Sequence, residues 1–133
     1  MENIVFDSDI LIDLVKGAPK VVETVKKLEV ENELYTTDIN AFELYWGAYK
    51  SKYHEKELAS VKGLLNTFRL IGTNENSMEV AAKIIADLEK KGKPVALRDL
   101  FIGAMCLANS FRLFTRNTKH FKNMEGLKII EVE

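Results

Sequence analysis

The chain has one cysteine, two prolines and no long apolar run. A single cysteine, Cys106, rules out an intrachain disulfide framework. It lies inside the apolar run Phe101-Ile-Gly-Ala-Met-Cys-Leu-Ala108, where a thiol behaves as a small hydrophobe, so a reducing compartment is expected. No apolar stretch approaches the roughly 20 residues needed to cross a bilayer, and no basic segment followed by an apolar one opens the chain. A soluble, cytoplasmic protein with no membrane partner is the expectation. Glutamine is absent while Lys and Glu dominate the charges, a bias of heat-adapted proteins that nine asparagines offset. The formal net charge is −1, which excludes a polycation with general attraction for nucleic acid, so any such binding has to come from a local patch.

What is present is a core and a rhythm. With 133 residues and 47% hydrophobic content the chain is long enough for one domain, 1–133, and too short for two typical ones. Ile4-Val-Phe6 reads as a strand, and Asp7-Ser-Asp9 follows with side chains suited to starting a helix over Ile10 to Val15, which Lys16-Gly17 stops. A second helix runs from about Pro19 to Leu28. Leu34-Tyr-Thr36 is a second strand, after which Thr37 or Asp38 caps a helix with Ile39, Phe42, Trp46 and Tyr49 at helical spacing. Helices are predicted over about 55–68, 78–91 and 98–109, strands at Arg69-Leu-Ile71, Arg112-Leu-Phe-Thr115 and Leu127 to Val132, and a short helix near Thr118 to Asn123. Strands alternating with helices throughout predict an α/β three-layer domain around a parallel sheet of about five strands.

Three of the six aspartates, Asp7, Asp9 and Asp38, fall at strand-to-helix junctions, the edge where open parallel sheets bind ligands. An Asp at a helix start is ordinarily a cap, and Asp9 and Asp38 take that reading. Glu43 lies one turn beyond Ile39 and one before Trp46, bordering an apolar stripe. Asp99 heads a nearly all-apolar helix and shares a face with Ile102, Gly103 and Cys106. Burying an unpaired carboxylate costs several kcal/mol, so each needs either a cation or an ion pair with Arg98, Arg116 or a lysine. Oxygens converging without His or Cys suit a hard ion, Mg²⁺ or Mn²⁺. His54 and His120 are far apart and lack neighbouring Cys, which gives zinc weak support. There is no P-loop, no glycine-rich dinucleotide fingerprint, and no G-x-S-x-G context to make Ser8 a nucleophile.

The order Ile-Val-Phe-Asp7-Ser-Asp9-Ile-Leu-Ile, Asn40-Ala-Phe-Glu43-Leu, Arg98-Asp99-Leu-Phe-Ile-Gly-Ala104 and Leu113-Phe-Thr-Arg-Asn117-Thr-Lys-His-Phe121 resembles the PIN-domain family over essentially the whole chain. It is most similar to the VapC-type toxins of toxin–antitoxin operons. The resemblance implies a PIN-like fold with strand order 3-2-1-4-5 and a metal-dependent endoribonuclease, the toxin of a toxin–antitoxin pair. It puts the site at Asp7, Glu43 and Asp99, with Mg²⁺ or Mn²⁺ as cofactor, RNA as substrate and an antitoxin protein as partner. A fourth position, often acidic in the family, holds Asn117 here, or His120 three residues on; Asn117 is expected to orient water or bind substrate beside Asp7. Arg116, Lys119, Lys50 and Ser8 are candidate substrate contacts. Tyr45, Trp46, Tyr49 and Tyr53 place more aromatic surface on one helix than an inner face needs, which predicts a homodimer. The rival readings are an inactive PIN-like binding module, acting through protein or RNA association, and a phosphoacceptor domain of the receiver type. The latter needs a paired acidic cluster and a Lys after the last strand, whereas the strand-four edge here gives Thr115-Arg-Asn117.

Overall fold

In the computed structural model, which describes residues 2–132, five strands form one parallel sheet: β1 (Asn3–Phe6), β2 (Glu33–Thr37), β3 (Arg69–Ile71), β4 (Arg112–Phe114) and β5 (Ile129–Ile130). Every neighbouring pair is parallel, as the alternation of strands and helices predicts, and the order is β3-β2-β1-β4-β5, the one the PIN-like resemblance implies. Six helices connect them: α1 (Ser8–Lys16), α2 (Pro19–Glu29), α3 (Asp38–Lys50), α4 (His54–Leu65), α5 (Glu75–Lys90) and α6 (Leu97–Asn109), with a 3₁₀ turn at Thr118–Phe121. β5 is shorter than the run Leu127 to Val132 suggested.

The alternation of β1 sets the three layers. Ile4 and Phe6 point to one face and pack with α1, α2, α3 and α4 residues such as Ile10, Val21, Leu44 and Val61. Val5 points to the other and packs with α5 and α6 through Ala81, Leu100, Ile102 and Met105. Both faces of the central strand are buried, which is why it reads as an unbroken apolar run rather than an alternating one. Cys106 is buried on α6, where burial pushes its thiol pKa up, consistent with a packing role. Gly17 stops α1 in the left-handed conformation (φ 71°), its N–H bonding back to α1 carbonyls.

Two local readings need correction. α5 begins at Glu75, about three residues earlier than its apolar spacing suggested, because Asn74 and Ser77 form a reciprocal capping box. On α3 the stripe Phe42, Trp46 and Tyr49 faces outward, and the buried side is Asn40, Ala41, Leu44 and Ala48. Small residues there allow α3 to lie close to the sheet, while the large aromatics have room only on the outside. Tyr45 is partly buried against the core, unlike Trp46, Tyr49 and Tyr53. Among the described residues no helix is long and apolar enough to cross a membrane.

Candidate active site

Because all the strands are parallel, the residues just after β1, β2 and β4 share one edge, and α6, running back from that edge toward β4, starts there too. The register pairs Phe6 with Phe114 and Val5 with Tyr35, so Asp7 stands level with Thr115 on one side and Thr37 on the other. Asp7 is fully buried and is itself the N-cap of α1, accepting the Ser8 N–H at 2.8 Å. Its other oxygen accepts the Thr115 hydroxyl at 2.8 Å.

Glu43, on the second turn of α3, and Asp99, in the first turn of α6, come to the same place. What joins the three acids is Arg98. Its Nη2 lies 2.5 Å from Asp7 Oδ1 and 2.8 Å from Glu43 Oε1, its Nε 2.9 Å from Glu43 Oε2, and its Nη1 2.8 Å from Asp99 Oδ1. Burial works against the charged guanidinium, but hydrogen bonds to Glu43 and Asp7 outweigh it and hold its pKa above the ordinary arginine value. Three carboxylates against one guanidinium leave a formal charge of −2, and Asp9 lies alongside. Burial and the neighbouring Asp7 charge raise the Asp9 carboxyl pKa, partly opposed by the N–H groups of Arg116 and Ile10.

Two residues not assigned in the sequence complete the arrangement. Asn40 is fully buried and donates to Asp7 Oδ1 at 3.0 Å and to Ser8 Oγ at 2.8 Å, while its oxygen accepts the Thr37 hydroxyl at 2.7 Å. Thr37 caps α3 by accepting the Asn40 N–H, and this three-residue spacing was the available signal for it. Thr115 is the second: it takes the place beside Asp7 expected of Asn117. The Asn117 side chain makes no hydrogen bond among the described residues; its backbone N–H donates to Thr115 Oγ1 at 3.1 Å.

The remaining sequence candidates separate. Ser8 donates to Glu43 at 2.7 Å and links it to Asn40. His120 Nδ1 lies 3.7 Å from Asp99, and Lys119 lines the cleft that Asp99 opens into. Arg116 is turned to Asp13 at 2.5 Å and Lys50 lies over the Trp46 ring at 5.0 Å, so neither side chain points at the acids. Asp9 is not the cap expected of it, since Asp7 takes that place; it lies in the first turn of α1, where its carboxylate accepts the Ile10 N–H at 2.8 Å and the Arg116 N–H at 2.8 Å and ties α1 to the segment after β4. Asp38 sits just inside α3, behind the Thr37 cap, and accepts from Thr73 instead.

The donor set, all oxygen with two formal negative charges uncompensated, matches what a hard divalent cation requires. As the side chains stand, no three acidic, His or Cys groups among the described residues are close enough to share an ion, since the guanidinium lies between them. The acids fit a hard metal in chemistry, while Arg98 holds the point they share, so an ion bound there would have to take the place of its guanidinium.

A parallel three-layer α/β domain with an acidic cluster at the carboxyl edge of its central strands is the class that fold and site define. The chain belongs to the PIN domain family, whose profile matches residues 4–127. It is similar to Ribonuclease VapC1 of Haemophilus influenzae strain R2866 (29% identical over 123 residues, 92% of each chain) and to the tRNA(fMet)-specific endonuclease VapC of Shigella flexneri (25% over 128 residues, 96% of each). Among solved structures it resembles VapBC-1 from nontypeable Haemophilus influenzae, with TM-score 0.87, 27% identity and 97% of each chain covered.

Proposed function

We propose that residues 1–133 act as a single-domain, metal-dependent endoribonuclease, the toxin of a toxin–antitoxin pair, working in the cytoplasm. The observation that carries this reading is the meeting of Asp7, Glu43 and Asp99, from three separate elements, around one positive group. The activities of the relatives, a ribonuclease and a tRNA(fMet)-specific endonuclease, support RNA as the substrate. The VapBC complex among the solved structures supports an antitoxin as the partner.

Asp7 and Asp99 would hold Mg²⁺ or Mn²⁺ directly, with Glu43 holding it through water or accepting the proton of the attacking water. A bound divalent ion would supply Lewis-acid neutralisation of the charge that builds on the phosphate during hydrolysis. The chain itself provides the orientation: Asn40, Ser8 and Thr115 fix both oxygens of Asp7, so its geometry is set before substrate arrives. Asn117, exposed at the rim, is left to contact water or substrate. A basic group offered by an antitoxin to these acids would meet Arg98 already in place and would have to replace it or dock beside it.

The test is cleavage of end-labelled RNA by the purified chain. Mg²⁺ or Mn²⁺ is expected to support internal cuts and EDTA to stop them. Cutting that persists at full rate in EDTA would remove the metal-dependent reading.

A homodimer through the outer face of α3 is the proposed assembly. Phe42, Trp46 and Tyr49 on α3 are all more than half exposed, as is Tyr53, which stands at the N-cap of α4 rather than on the same helix, and Phe42 stacks on Trp46, so large aromatics on this side lack a cover among the described residues. Light scattering is expected to give about twice the chain mass, falling to one chain in Trp46→Glu. A monomeric wild type would sink this.

A further inference from the structure

The lysines of this chain are not spread evenly around the acidic centre. Between the second half of α5, the turn before α6 and the 3₁₀ turn lie two clefts of about 600 and 590 Å³. The second has Asp99 in its wall. Both are lined by Lys93, Lys122 and Asn123, so they form one continuous trough that reaches the acidic centre at Asp99.

Local structure explains the concentration of charge. Phe121 and Met124 are buried and anchor the segment after β4, which forces the intervening Lys122 and the preceding Lys119 outward. Gly92, at φ +65°, reverses the chain after α5, and the turn leaves Lys93 exposed. Lys83, Lys90 and Lys91 add their side chains from α5 and its end, so six of the fifteen lysines line the trough. Among the described residues two acids besides Asp99 line it, Asp87 and Glu125, and Asp87 pairs with Lys91 at 3.1 Å. Lys83, Lys90, Lys93, Lys119 and Lys122 have no ion-pair partner among the described residues, so their ammonium groups are available to an external anion.

A chain of net charge −1 cannot draw a polyanion by its overall field, and the acidic cluster repels phosphate. A strand presenting regularly spaced phosphates needs spaced cations leading toward the cut. We propose that this trough is the RNA track: Lys93, Lys119 and Lys122 pair with the backbone phosphates nearest Asp99, and Lys83 and Lys90 with those further out. The track reads phosphate and is indifferent to base identity. It rests on the nuclease reading above.

The experiment is fluorescence anisotropy of a labelled single-stranded RNA with the full chain in EDTA, across a salt series, so that binding is read without cleavage. Lys93→Ala/Lys119→Ala/Lys122→Ala is expected to bind about tenfold or more weaker at low salt and to lower the slope of log affinity against log salt by about two, roughly 0.7 per lost phosphate contact. Lys20→Ala/Lys26→Ala/Lys27→Ala, all on α2 across the sheet, should match wild type. Equal affinity and slope in the trough variant, or an equal loss in the control, overturns the track. So does a trough variant that keeps RNA but loses an acidic peptide that wild type binds, which would assign the trough to a protein segment. If wild type cuts RNA in Mg²⁺ yet the trough variant binds normally, the track alone fails; if wild type neither binds nor cuts, the nuclease reading fails beneath it.

Discussion

Asp7→Asn is expected to lower metal-supported RNA cleavage by at least about 10²-fold while leaving the fold standing. The side chain is fully buried and touches Ser8, Asn40, Thr115 and Arg98. Asparagine has the same shape and caps a helix as well as aspartate does, so the Ser8 N–H keeps an acceptor. Its amide can still meet the Thr115 hydroxyl, which accepts as readily as it donates. Arg98 keeps a neutral oxygen as its acceptor there and retains the charged Glu43 and Asp99. What disappears is one negative charge at the point where a cation would be held. Initial rates with Mg²⁺ and with Mn²⁺, beside a thermal melt, separate the two effects. A variant that cuts within about threefold of wild type would remove Asp7 from the chemistry and, with it, the argument from convergence.

Arg98→Leu is expected to show the opposite balance, a large loss of stability that metal partly restores. Removing one partner of a buried ion pair costs about 3–5 kcal/mol, because the other charge is left without compensation. Arg98 keeps 30% of its side chain exposed and Glu43 29%, so the lower end applies, about 3 kcal/mol, or a fall of roughly 10 °C in Tm in EDTA. The three acids then face one another with nothing between them. Adding Mg²⁺ or Mn²⁺ should raise Tm more in the variant than in wild type, since the ion no longer competes with a guanidinium for the same oxygens. The measurement is a melt of both proteins in EDTA and across a metal titration. A variant whose Tm in EDTA lies within about 2 °C of wild type would show that the acids do not depend on Arg98, and an equal metal response in both would show that Arg98 does not compete for their oxygens.

How much of this could be read from residues alone differs by element. β3 was legible in its bounds, because Arg69-Leu-Ile71 is a short run ending in two apolar residues between a helix pattern and a loop. α6 was legible as a helix buried on several sides, since Leu100, Ile102, Ala104, Met105 and Cys106 leave no polar stripe to face water. α3 was misleading. Its apolar residues run almost all round, so spacing could not say which stripe faced the sheet, and the larger one proved to be outside. Asn40 and Thr115 were overlooked because each is an ordinary residue by type, and only the strand register brings them onto Asp7.

The residues by themselves determined the alternation of strands and helices and the appearance of acids at strand ends, because those depend on neighbours within a turn or two. Tertiary structure alone decided which cation those acids share. Arg98 and Asp7 are 91 positions apart, and charges choose partners by distance in space rather than along the chain. The same holds for the lysine trough, which joins α5 to the segment after β4 through a fold that no local pattern contains.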